Sequence, residues 1–196
     1  MARPRSEDRR QAILSGATRV IASLGLAAPT AMIAKEAGVS NGALFVYFDT
    51  KATLHNELYV ALKTEMCGAA LSGLPPQSHP REQVQHMWTH WLHWATTFPE
   101  KQRTLAHLQV CDDITAESHQ IVGSASRSIA ELLERSRADG PMRETPLGFV
   151  LALTNAIADT TIDAMIRQPA EAEEHSRAAF EAMWRVLAGA SVPTTA

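Results

Sequence analysis

Cysteine is scarce in this chain: its 196 residues hold only Cys67 and Cys111. That pair gives neither a disulfide framework nor the spacing of a metal finger. Aromatic residues make up just 6%, while hydrophobic residues reach 45% and are rich in Ala and Leu, a helical composition. No segment shows the apolar/polar alternation of a strand. No apolar run approaches the roughly 20 residues of a membrane span, and the basic start followed by an amphipathic stretch is unlike a secretory leader. There is no nucleophile elbow and no glycine-rich phosphate loop. The expectation is a cytoplasmic, non-enzymatic, all-α protein without a cofactor or a membrane partner.

Uniform positive charge is missing too, since the formal net charge is −3. The average hides a split. Residues 1–55 carry seven Lys/Arg against four Asp/Glu, and the remainder carries eleven against seventeen. A basic head on an acidic body suits a DNA-binding end joined to a domain with another task.

The head is organised around Thr30 to Lys51, TAMIAKEAGVSNGALFVYFDTK. Thr30 is placed to cap a short helix whose inner face is Ile33, Ala34 and Ala37. Gly38 follows at the position that needs a left-handed backbone. Ser40 then caps a second short helix with Leu44 and Phe48 on its inner face. Two capped helices joined by so tight a turn predict a helix-turn-helix, whose second helix enters a major groove. Asn41 can read adenine, Ala43 can touch a thymine methyl, and Gly42 lets the backbone come close. Thr30, Ser40, Tyr47 and Lys51 are placed for phosphates, and Arg3 and Arg5 lie on a short N-terminal arm. Ser6 caps the first long helix, which buries Ile13, Ala17, Val20, Ile21 and Leu24.

The wording IAKEAGVSNGALFVYFDTKATL resembles the TetR family of transcriptional regulators. The family pattern runs roughly IA-x-x-AGVS-x-G-x-LY-x-HF-x-x-K-x-x-L. Ile33, Ala34, Ala37, Gly38, Val39, Ser40, Gly42, Leu44, Phe48, Lys51 and Leu54 match it. Phe45 stands at the usual Tyr and Tyr47 at the usual His, so two family phosphate donors are changed; position alone keeps Phe45 among the DNA-facing residues. The resemblance implies a three-helix head, residues 1–50, and a helical effector-binding and dimerisation domain, residues 51–196, with about nine helices in all. It also implies a regulator, a repressor, that binds a palindromic double-stranded operator as a homodimer and is released by a small-molecule effector.

In the body, Pro80 opens a fifth helix, HMWTHWLHWATTF, with three tryptophans. Its broad apolar face predicts an effector wall for an apolar or aromatic ligand. The expected lining is Leu62, Met66, Met87, Trp88, Trp91, Trp94, Leu108, Cys111, Ile121 and Phe149. His86, His90 and His93 form a narrow stripe, read as a polar helix face more readily than as metal ligands. Thr115 caps a long seventh helix that ends near Asp139-Gly140-Pro141. Thr145-Pro146 opens an eighth helix that is apolar around more than half its circumference. A ninth helix runs from roughly residue 171 to 188. The resemblance pairs the last two into a dimer interface, with Leu151, Ile157, Ile162, Phe180, Met183, Trp184 and Leu187. Asp159 and Asp163 are read as solvated. A metal- or thiol-responsive sensor on the same scaffold and an effector-free architectural DNA binder are the alternatives.

Overall fold

Ile13, Ala17, Val20 and Ile21 recur at helical spacing and are all buried, and they run along the first helix, α1 (Arg3–Leu24). The computed structural model describes residues 3–189, with side chains from Ser6 onward. α1 starts inside the segment expected to be an arm, so Ser6 is not its cap. The side chains of Arg3 and Arg5 lie outside the described residues. Leu24, expected in the buried stripe, is exposed instead, because the helix ends there and its last turn overhangs.

α2 (Thr30–Glu36) and α3 (Asn41–Tyr47) are each two turns long. α4 (Lys51–Leu71) follows, and Thr50 Oγ1 caps it by accepting from the Thr53 N–H at 3.0 Å. Then come α5 (Pro80–Thr97), α6 (Pro99–Gln109), α7 (Ala116–Ala125) and α8 (Arg127–Arg137). α9 (Leu147–Arg167), a 3-10 turn (Pro169–Glu171) and α10 (Ala172–Ala188) complete the chain, and no strand occurs among the described residues. Proline sets several of these limits. Pro80 and Pro99 open helices because their missing N–H would have had no helical partner there.

The expected seventh helix is two helices. Thr115 Oγ1 caps the first by accepting from the Ser118 N–H at 3.2 Å, but the chain breaks at Ser126, where φ −93° and ψ 2° leave the α-helical region. The α-helices among the described residues therefore number ten. The eighth expected helix starts one residue late, with Pro146 rather than Thr145 at its cap. Cys111 lies in the turn after α6.

Two units form: Met1–Glu65 with Phe98–Ser124, and Met66–Thr97 with Ala125–Ala196. These packing units cut the chain differently from the expected division at 50/51. In the first unit α1 lies against α2 and α6, and α2 against α3. The buried Thr104 hydroxyl donates to the Thr18 carbonyl at 2.7 Å, tying α6 to α1. In the second unit α5 lies against α8, α9 and α10, and α10 runs along α9. Arg137, buried at the end of α8, donates to the carbonyls of Met142, Arg143 and Thr145, and so anchors the loop that leads into α9.

α9 corrects one expectation. Its 21 residues and mean hydropathy of 1.4 make it long and apolar enough to cross a membrane by length and composition. Only 28% of its most apolar window is buried.

Candidate functional site

The turn between α2 and α3 is fixed by local bonds. Gly38 takes φ +69°, a left-handed conformation that costs glycine little. Its N–H donates to the Lys35 carbonyl at 3.1 Å, and the Val39 N–H reaches back to the Ala34 carbonyl at 2.9 Å. This pair of bonds satisfies carbonyls at the end of α2 that would otherwise have no partner. Ser40 then opens α3 by accepting from the Ala43 N–H at 3.1 Å. Thr30 does not cap α2; it is the first helical residue, and Pro29 holds the cap position.

Ile33, Leu44 and Phe48 are fully buried and form the base on which the two helices rest. Asn41 and Gly42 are exposed at the start of α3, Phe45 is exposed, and Ala43, Tyr47 and Lys51 are half-buried. A Cβ at Gly42 would meet nothing within 4 Å, so the packing of this chain does not require glycine there. Val46, which sequence reasoning passed over, is 79% exposed. An apolar side chain so placed on a helix of this kind suits a thymine methyl or a sugar; its position on the outer face at i+3 from Ala43 was the available signal.

The head is braced by charge. Arg10 pairs with Glu57 of α4 and lies over the Phe48 ring, 5.4 Å from its centroid. Arg19 pairs with Glu36 of α2 at 2.6 Å. Two of the basic residues in the head therefore join helices, which leaves Arg9, Lys35 and Lys51 among the described side chains to give the surface its positive charge.

Residues 13–58 match the family described as bacterial regulatory proteins, tetR family. A TetR-family transcription regulator from Shewanella sp. PV-4 has the same fold, with a TM-score of 0.83 and 25% identity over 92% of this chain and 98% of that one. The likeness to the TetR family is thus one of sequence over residues 13–58 and of fold over most of the chain. Another TetR-family regulator, from Marinobacter aquaeolei VT8, superposes with a TM-score of 0.78 at 21% identity, over 95% of this chain and 98% of that one. The regulator FadR from Bacillus subtilis, solved in complex with stearoyl-CoA, shares the fold with a TM-score of 0.67 at 14% identity, over 92% of this chain and 99% of that one.

The expected effector residues do not fall in one unit. Leu62, Leu108, Cys111 and Ile121 belong to the first unit, and Met66, Met87, Trp88, Trp91, Trp94 and Phe149 to the second. Ile121 and Phe149 are exposed, at 47% and 59%. The three α5 tryptophans are buried. The Trp88 indole N–H donates to the Ser176 carbonyl at 3.1 Å, whereas the Trp91 N–H is buried without a partner. A cleft of about 400 Å³ in the second unit is lined by Trp88, Leu92, Met165 and Phe180, with His93 and Arg177 among its polar residues.

The expected dimer set needs correction. Ile162, Phe180, Met183, Trp184 and Leu187 are all buried within the single chain. They form the core between α5, α8, α9 and α10 and are not free for a partner. Leu151 and Ile157 are half-buried. An exposed i, i+4 row of small side chains runs along α9 through Gly148, Ala152, Ala156 and Thr160, flanked by Phe149, Asp163 and Arg167, and one on α10 runs through Glu174, Ala178, Ala182 and Val186, flanked by Glu173, Arg177 and Arg185. Asp163 is exposed, as expected, and Asp159 is half-buried.

The histidine stripe does not converge on a point. His86 Nε2 lies 2.8 Å from the Ser72 carbonyl, and the His86 and His90 rings stack with centroids 4.0 Å apart. Desolvation, and then the neighbouring charges of His86 and His93, hold His90 below the ordinary histidine range. A different group does converge. His55 of α4 is buried, with Nδ1 3.0 Å from Asp113 Oδ2 and 3.9 Å from Cys111 Sγ. Burial lowers the His55 pKa against the opposing pull of Asp113.

Proposed function

We propose that this chain is a dimeric, ligand-responsive repressor of the TetR family that binds a palindromic operator. Residues 1–50 read DNA, and residues 51–196 dimerise and take the effector. The observation that carries this is an exposed reading edge on α3 in a chain whose most apolar helix, α9, is only 28% buried over its most apolar window. A helix so apolar needs a cover. The exposed rows of α9 and α10 fit a second copy of themselves, because small side chains let helices approach closely and a two-fold axis matches two half-sites. Asn155, Asp159, Thr160 and Asp163, which are not buried along α9, suit a protein partner better than lipid.

The effector is a small apolar or aromatic molecule carrying a hydrogen-bond acceptor. Trp88, Leu92, Met165 and Phe180 along the cleft support the first property, and its His93 and Arg177, side chains that can donate to an acceptor, support the second. Binding there favours a DNA-incompetent arrangement and lowers operator affinity. Light scattering of the pure chain with an inverted-repeat duplex tests the assembly. Two chains per duplex are expected; one chain per duplex would refute the dimeric reading.

A further inference from the structure

We propose that His55, Cys111 and Asp113 form a binding site for a divalent transition-metal ion of the zinc class. One donor atom from each lies within 4.8 Å of the others. Donors shared by one tetrahedral zinc stand roughly 3.3–3.6 Å apart. His55 Nδ1 and Asp113 Oδ2 are slightly closer than that, at 3.0 Å, and Cys111 Sγ is slightly farther from Nδ1, at 3.9 Å. Movements of about an ångström would close all three on an ion. The set of one nitrogen, one sulfur and one oxygen donor suits zinc and its neighbours and not magnesium or calcium.

The backbone behind these donors is already held. Asn56, the residue after His55, donates to the Asp113 carbonyl at 2.7 Å. Its own Oδ1 accepts from the Thr115 N–H at 2.8 Å and from the Ser118 hydroxyl at 2.7 Å. The turn that carries Cys111 and Asp113 is therefore pinned against α4.

The proton balance also works. In the metal-free chain His55 Nδ1–H donates to Asp113, and buried Nε2 has no partner. Coordination through Nδ1 moves that proton to Nε2, which stays unpartnered, so the tautomer change adds no new unmet group to the site. Cys111 loses its thiol proton to solvent as the sulfur–metal bond forms. The thiolate and the Asp113 carboxylate then neutralise the dication. The Asp113 side chain is 48% exposed, so an ion can reach the site and a water can complete its coordination, as at open zinc sites. His55 lies one helical turn beyond Lys51, so an ion there would join the beginning of α4 to the turn after α6.

The test is a cobalt titration of the full, reduced, metal-stripped chain. One Co²⁺ per chain is expected, with thiolate-to-cobalt charge-transfer absorption and tetrahedral visible bands that added Zn²⁺ abolishes. Cys111→Ser should remove the charge-transfer band, and both it and Asp113→Asn should weaken binding at least about tenfold, the loss that even outer-shell changes bring. His90→Gln should change nothing. Zn²⁺ should raise the thermal midpoint of the wild type by mass action and raise that of Cys111→Ser less at the same concentration. Absence of the charge-transfer band in the wild type, its survival in Cys111→Ser, or loss of binding in His90→Gln instead would overturn the assignment.

Discussion

Gly16 of α1 sits directly against Ala37 at the end of α2: a Cβ placed on Gly16 would lie 3.0 Å from the Ala37 nitrogen and 3.2 Å from its Cβ. The Ile33 carbonyl would be equally close, at 3.2 Å. α2 is therefore seated on α1 so closely that a Cβ at position 16 would have to push it back by a few tenths of an ångström.

That contact separates two substitutions. Gly16→Ala gains about 0.5–1 kcal/mol of helix propensity, which offsets part of the crowding. Gly16→Val adds further bulk against backbone atoms that cannot rotate away, and should cost about 1–3 kcal/mol. Thermal denaturation should show the valine variant clearly less stable than the alanine variant. Equal midpoints would mean that α2 can move off α1 freely.

DNA affinity should fall log-linearly with salt, because phosphate contacts release counterions. Lys51→Ala should weaken all sequences alike and make the slope shallower by about one. Phe45→Tyr restores a hydroxyl at an exposed position of α3 and should tighten binding by about 0.5–1.5 kcal/mol, with no change of slope because no charge is added. Anisotropy titrations at several salt concentrations would measure both. An unchanged slope in Lys51→Ala would remove that residue from the phosphate contacts.

What could be read from the sequence was local. The Gly38 turn and the Ser40 cap depend on residues three to five apart, so their geometry was legible in AGVSNGAL. Periodicity likewise announced that Phe180, Met183, Trp184 and Leu187 face something apolar. It could not say what, and the resemblance put them against a partner when they face their own core. The break at Ser126 carries no proline or glycine, and Ser126 makes no side-chain cap bond. Nor could spacing bring together His55 and Cys111, which stand 56 residues apart. Tertiary packing alone makes that neighbourhood.

Association can now be tested on the open face. Ala156 is exposed in the single chain, so Ala156→Glu should leave its fold and helix content intact but bury a charge in the dimer. Light scattering should report half the wild-type mass. Leu187→Glu places its charge in the chain's own core and should cost more than about 3 kcal/mol of stability. A dimer that survives Ala156→Glu would put the interface elsewhere.

The pH dependence has a definite sign. His90 titrates below the ordinary histidine value when folded, so the unfolded chain binds the proton first as pH falls below about 6.5. Stability is then full above that value and declines on acidification. His90→Gln should make the decline between about pH 7 and 5.5 shallower, as read by thermal midpoints. A decline equally steep in the variant would clear His90 of the effect.

The central claim is that α3 reads DNA as part of a two-fold dimer, and selection of duplexes from a random pool by the purified chain tests it most directly. The account predicts enrichment of an inverted repeat with two equal half-sites, and Asn41→Ala should relax the preference at one symmetric adenine position, where a bidentate contact is worth about 1–3 kcal/mol. A pool that shows no enrichment, or an enriched motif that Asn41→Ala leaves unchanged at every position, would contradict it.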